Sequence, residues 1–165
     1  MLKNLMQGAN VVRYHTVPTI GTQNNGHHSM RVCLILRHLL DGKVSAKQYE
    51  AALFHDLSEV YTGDLPATTK WANLMLADLI EDLEMQWSVN NGCYVTQCEE
   101  EEMVLRVADK LELVWFCTEQ MKMGNGSLRE VRQKGIDYCT RVGFASPAIE
   151  QRVLDLIKEC ENECK

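Results

Sequence analysis

His55-Asp56 is the most chemically pointed pair in this 165-residue chain. An imidazole nitrogen and a carboxylate oxygen on adjacent residues can converge on one cation. Two further residues raise the pair above coincidence. His28 stands on an apolar stripe with Val32, Ile35 and Leu39, the repeat of one helix face. Asp109 stands on a second stripe, Leu105–Asp109–Leu113–Phe116. A buried imidazole and a buried carboxylate are each costly unless paired or bound to metal. The bland reading is a hydrogen-bonded core histidine and an aspartate paired with arginine. Taken together, two His and two Asp on different helices or helix ends form the donor set of one divalent ion in a bundle. Such a set suits Zn, Co, Mn, Fe or Ni without distinguishing them. Glu59 follows Asp56 by three residues, so one more helical turn would bring its carboxylate to the same side, able to take a proton from water. His27 points about 100° away around the helix, toward Arg31 and solvent.

The elements that must position these residues are helices. With only three prolines, long uninterrupted helices are permitted. Thr16–Gly26 reads as an irregular loop and His27–Leu40 as a helix. Ser45 and Gln48 form a capping box for a helix ending at His55. Gly63-Asp64-Leu65-Pro66 breaks the chain, and Thr68–Ser88 reads as one long amphipathic helix ended by Asn90-Asn91-Gly92. Thr96 with Glu99 is expected to cap a helix running to about Met121, with Val104, Val107, Ala108, Leu111, Val114, Trp115 and Thr118 facing the core. Ser127 with Glu130 is expected to cap the next, and Ser146-Pro147 opens the last, carrying Ile149, Val153 and Ile157. Period-two alternation never persists. The expectation is an all-α bundle, one domain over residues 1–165.

Composition bounds the function. Apolar residues make up 45% and the formal net charge is −6, the profile of a soluble protein without the basic stripe a nucleic-acid polymer demands. No apolar run approaches the roughly 18–20 residues of a membrane span, and the first residues lack a secretory signal; a cytoplasmic protein is expected. The seven cysteines are an odd number without Cys-x-x-Cys spacing, so they read as free thiols, with Cys33 and Cys117 as core fillers.

The order His28 … His55-Asp56 … Asp109 resembles the signature of HD-domain metal-dependent phosphohydrolases. The resemblance extends to Arg13-Tyr14-His15-Thr16, to His28-Ser29, to the tract His55–Pro66, to Thr69-Lys70 and to Ala108-Asp109-Lys110-Leu111. It covers roughly residues 12–120 and is most specific between His55 and Pro66. The 5′-deoxynucleotidase subgroup is similar almost position by position there, and the Arg13–Thr19 tract looks equally like a short phage-type branch that hydrolyses dATP to deoxynucleoside and triphosphate.

The resemblance implies an HD-type helical bundle with His28, His55, Asp56 and Asp109 as ligands of one ion. It makes Glu59 and Asp64 the acid/base pair and places Arg13 on the scissile phosphate, where a planar guanidinium binds two oxygens at once. Tyr14 stands where the bacterial enzymes typically carry Trp; it and Ile20 are candidates to crowd a ribose 2′-hydroxyl, with a place in the loop's own aromatic cluster as the alternative for Tyr14. Lys70 and Lys110 are candidates to neutralise further phosphates. No histidine follows His55, so one ion is expected, with any others carried by substrate phosphates. The expected substrate is a small deoxynucleotide, dATP first and a deoxynucleoside monophosphate as the alternative. A non-catalytic helical metal- or nucleotide-binding module is the third reading. Trp71, Met75, Met85 and Trp87 offer apolar surface beyond one core stripe, and relatives assemble, so a homo-oligomer is expected.

Overall fold

The computed structural model describes residues 1–163, without the side chains of Ala67, Thr68 and Trp71. The expectations for Trp71 and Cys164 therefore lie outside the described residues. The chain is all-α, with seven helices of eight residues or more. These are α1 (Leu2–Ala9), α2 (Asn25–Leu39), α3 (Ala46–Phe54), α6 (Leu74–Asn90), α7 (Glu99–Lys122), α8 (Arg129–Arg141) and α9 (Pro147–Asn162). Two short helices, α4 (Glu59–Thr62) and α5 (Ala67–Ala72), lie between α3 and α6, and a 3-10 turn at Gly126–Leu128 precedes α8. An isolated antiparallel bridge, Val12 to Asn24, closes the loop ahead of α2.

The core forms around α7, which packs on α2, α3, α8 and α9. Four glutamates in its first turn and Lys122 in its last complement the helix dipole. Val104, Val107, Ala108, Leu111 and Val114 lie buried on its inner side, facing Val32, Leu36 and Leu39 of α2 and Val153, Leu156 and Ile157 of α9. Gly135 lets α8 settle onto α7, because a Cβ there would stand 2.8 Å from Val114 Cγ2. Gly8 does the same for α1: a Cβ would stand 2.4 Å from the Leu57 carbonyl oxygen. The turn following His55-Asp56 is thus backed by α1, a helix that the sequence reading did not anticipate.

Several boundaries move. The expected helix over 68–88 is two helices, because the Asn73 side chain accepts from the Leu76 N–H and caps a new start. The opening of α7 is capped by Cys98 with Glu101, not by Thr96 with Glu99; the Glu101 carboxylate accepts from the Cys98 N–H at 3.1 Å. Asn125 rather than Ser127 supplies the side-chain cap ahead of α8, accepting from the Ser127 N–H. Ser146 precedes Pro147 as expected but makes no side-chain cap. The capping box at Ser45 and Gln48 is present as read.

One helix stands apart. α6 spans 17 residues and buries none of them. Leu74, Met75, Leu79, Met85 and Val89 are exposed along it. Among the described residues no helix is long and apolar enough to cross a membrane, and six cysteines are free thiols, of which Cys33, Cys93, Cys117, Cys139 and Cys160 are buried.

Candidate active site

The helices bring His28, His55, Asp56 and Asp109 to one place. His28 sits a turn into α2 and is fully buried. His55 ends α3, and Asp56 follows it in the turn before α4. Their ligating atoms face one another: His28 Nε2 lies 3.3 Å from His55 Nε2 and 3.4 Å from Asp56 Oδ2, and His55 Nε2 lies 3.3 Å from the same oxygen. Asp109, from α7, adds Oδ1 at 3.2 Å from His28 Nε2. Donors held about 2.0–2.1 Å from a tetrahedral ion stand about 3.3–3.4 Å apart, so the spacing of His28, His55 and Asp56 fits the edges of a coordination shell. His28, His55 and Asp56 form the compact group, with Asp109 joining it on the His28 side.

Both imidazoles are aimed from behind. The His55 Nδ1 donates to the Ala52 carbonyl at 2.8 Å. His28 Nδ1 donates to Glu112 Oε2 at 2.7 Å. Each ring thereby turns its Nε2 toward the common centre. Burial alone would depress the His28 pKa, but the hydrogen bonds with Asp109 and Glu112 outweigh it and hold the imidazole up at about 9. Burial would raise Asp56, yet His55, Arg13 and His28 together pull it down to about 2.

Arg13 and Glu59 complete the cluster. Arg13 is fixed by its own backbone N–H on the Gln23 carbonyl at 2.9 Å. Its Nη1 pairs with Asp56 and donates to Asn25 Oδ1 at 3.3 Å, while its Nε is buried with no partner. Glu59 opens α4 and is 7% exposed, its Oε2 accepting from Asn25 Nδ2 at 2.8 Å and standing 4.0 Å from Arg13 Nη1. Burial, reinforced by Asp56 and Asp64, pushes its carboxyl up to about 8 against the pull of Arg13.

The remaining sequence candidates occupy different surroundings. Asp64 Oδ2 accepts from the Tyr14 backbone N–H at 3.0 Å, pinning a residue whose φ is +58°. The Tyr14 ring stacks on Phe116 with centroids 4.6 Å apart, which is the aromatic-cluster alternative, and its hydroxyl is buried without a partner. Lys110 Nζ is 2.8 Å from Asp109 Oδ2, so this cation already serves a carboxylate. Ile20 is not brought into the cluster. Its backbone is clamped by the Gln120 side chain at 2.7 and 3.0 Å, its side chain is exposed, and Gln120 lies about 16 Å along α7 from Asp109.

A cleft of about 480 Å³ opens beside His55 and Asp56, between the end of α3, α6 and the first turns of α7. Lys70, Glu81, Glu84, Tyr94 and Arg106 line it. The size suits a nucleotide. Thr62 Oγ1 donates to Glu84 Oε1 at 2.7 Å, tying α4 to this wall.

Two buried residues of the site were not picked out from the sequence. Glu112 is fully buried, and so is Asn25. Glu112 stands three residues beyond Asp109, which places both on neighbouring rows of one helix face. That spacing was the available signal, obscured because glutamate in a helix ordinarily reads as solvated.

The fold is that of HD-domain phosphohydrolases. A family model described as 5′-deoxynucleotidase YfbR-like matches residues 3–147, and the chain belongs to that family. A 5′-deoxynucleotidase of Enterobacter sp. (strain 638) is 30% identical over 79% of this chain and 82% of its own. One from Yersinia pestis (strain Pestoides F) is 26% identical over 74% of each. Among solved structures, the cyanophage S-2L HD phosphohydrolase DatZ, bound to dA and one catalytic Zn2+ ion, superposes with a TM-score of 0.76 at 19% identity, over 98% of this chain and 97% of that one. An HD-domain phosphohydrolase from Listeria innocua gives 0.69 at 18% identity over the same shares.

Proposed function

We propose that the protein is a 5′-deoxynucleotidase that converts a deoxynucleoside 5′-monophosphate and water to deoxynucleoside and orthophosphate. The observation that carries this reading is the His28–His55–Asp56–Asp109 cluster, with Arg13 and Glu59 against it, reached through His55 and Asp56 from a nucleotide-sized cleft. These four residues would hold one divalent ion; Zn2+ accompanies dA in DatZ, and the imidazole and carboxylate donors here suit that ion. The ion when bound would supply Lewis acidity toward the water and a phosphate oxygen.

The chain's own residues do the rest. Arg13 presents a guanidinium edge to the phosphate, exchanging part of its contact with Asp56 for a phosphate oxygen. Glu59, held by Asn25, is the candidate to accept the proton of the attacking water on phosphorus, a role open to it in its ionised form. Asp64, on the same short stretch, is the candidate to protonate the departing 5′-oxygen. Tyr14, stacked on Phe116, fixes the loop that carries Arg13.

The charge of the cleft favours a monophosphate over the triphosphate expected first from sequence. Lys110 is engaged by Asp109, and Lys70 and Arg106 share the cleft with Glu81 and Glu84. Few free cations remain for two additional phosphates. The sequence relatives named above are 5′-deoxynucleotidases, which supports the same choice. Product analysis tests it: orthophosphate from dAMP or another dNMP with dATP untouched is expected, whereas intact triphosphate from dATP refutes this reading.

A further inference from the structure

Glu112 is fully buried, and its two oxygens have separate duties. Oε1 accepts from Gln23 Nε2 at 2.8 Å and faces Arg31 Nε at 3.0 Å. Oε2 accepts from His28 Nδ1 at 2.7 Å. Two donors on one oxygen stop the carboxylate from rotating, so the other oxygen has a fixed direction. Arg31 is itself anchored, its Nη1 donating to Glu119 Oε2 at 2.9 Å, and Glu119 Oε1 accepts from Trp115 Nε1 at 2.9 Å. A buried carboxylate that only filled space would be better replaced by an apolar residue. This one ends a chain of held groups whose last bond is to an imidazole.

We propose that Glu112 is a positioning residue for His28: it holds the Nδ1–H of that imidazole so that Nε2 is presented to a cation, while Gln23 and Arg31 hold the carboxylate. The proposal rests on His28 being a metal ligand, as read above. In this arrangement one helix supplies both a direct donor, Asp109, and the group that aims another. A carboxylate behind a ligating imidazole also makes it a stronger donor, and losing such a partner typically costs about 10–100-fold in metal affinity.

The test is titration of the purified metal-free protein with Co2+, followed by visible absorption, for wild type, Glu112→Gln and His28→Ala. Gln keeps the shape and removes the charge. The expected result is Co2+ binding weakened about 10–100-fold in Glu112→Gln, with an unchanged circular dichroism spectrum, and lost in His28→Ala. Wild-type affinity in Glu112→Gln beside a loss in His28→Ala overturns the positioning role while leaving the metal reading intact. Wild-type affinity in His28→Ala overturns both. Where Glu112→Gln does not fold, nitrogen-15 NMR of the Zn2+-loaded wild type decides. A protonated, slowly exchanging His28 Nδ1 is expected, and an unprotonated Nδ1 overturns the proposal.

Discussion

The two ends of the candidate site are made of different material. At the His/Asp end, every candidate ligand comes from the helices that build the core or from the turn that follows α3. His28 shares α2 with Val32 and Leu36, all three buried, and the half-buried Asp109 shares α7 with the buried Ala108 and Leu111. At the nucleotide end, the far wall of the cleft is α6, a helix with no buried residue. Ligating atoms must be held within about 0.5 Å of their productive places, which only close packing achieves. A wall that contacts a base or a sugar tolerates more movement. Under the proposed function, metal binding and substrate contact fall on separable parts of this chain.

The largest expected effect breaks the rigid end. His55→Ala or Asp109→Asn should lower turnover by about 10³-fold or more, because a missing donor costs more than the 10–100-fold of a missing supporter. Steady-state phosphate release from a dNMP, with folding checked by circular dichroism, measures this. Undiminished turnover in metal-reconstituted Asp109→Asn would remove it from the donor set. Glu59→Gln should lower turnover by about 10²–10⁴-fold, the worth of a general base, with metal content unchanged. Near-normal turnover in that variant would assign the proton to another group.

How far these two ends could be read from sequence follows the same division. The rigid end was legible because its polar residues interrupt apolar stripes: His28 among Val32, Ile35 and Leu39, and Asp109 between Leu105 and Leu113. Burial of such residues needs a reason, and sequence shows the anomaly. Glu112 escaped notice because one further acid on an acidic helix is no anomaly until Gln23 and Arg31 are seen to close over it. Asn25 escaped because its partners, Arg13, Asp56 and Glu59, come from three other segments. The soft end was misread as one helix, since Asn73 is tolerated inside a helical pattern and its capping bond is visible only in three dimensions. Helix α1 was missed because it is short and buries only Gly8.

Stability should divide in the same way. Leu111→Ala removes a side chain that is 1% exposed at the centre of α7. It should cost about 2–5 kcal/mol by denaturant unfolding, the range for a core leucine. A cost below about 1 kcal/mol would mean that the core relaxes around the cavity and is no stiffer than the cleft wall. At the soft end, Lys70→Ala should raise KM by about 3–10-fold and leave kcat within about twofold, as expected for uniform binding of a phosphate charge. An equal fall in kcat would place Lys70 in the transition state and merge the two ends.

The smallest effect on turnover belongs to the outer face of α6. Met75 is 83% exposed and Leu79 55%, and at four residues apart they lie on one side of the helix. Both remain exposed among the described residues, while Thr62 and the cleft occupy another side of α6 through Glu84. A surface of this kind fits self-association, the expectation raised from sequence. Met75→Ser with Leu79→Ser should therefore shift sedimentation velocity toward the monomer while kcat stays within about twofold, since neither side chain lines the cleft. The unfolding free energy of the isolated chain should change by less than about 0.5 kcal/mol, as is usual for surface positions. An unchanged sedimentation profile would remove α6 as the contact. A large loss of kcat on dissociation would show instead that the wall of the cleft depends on a second copy to hold its place.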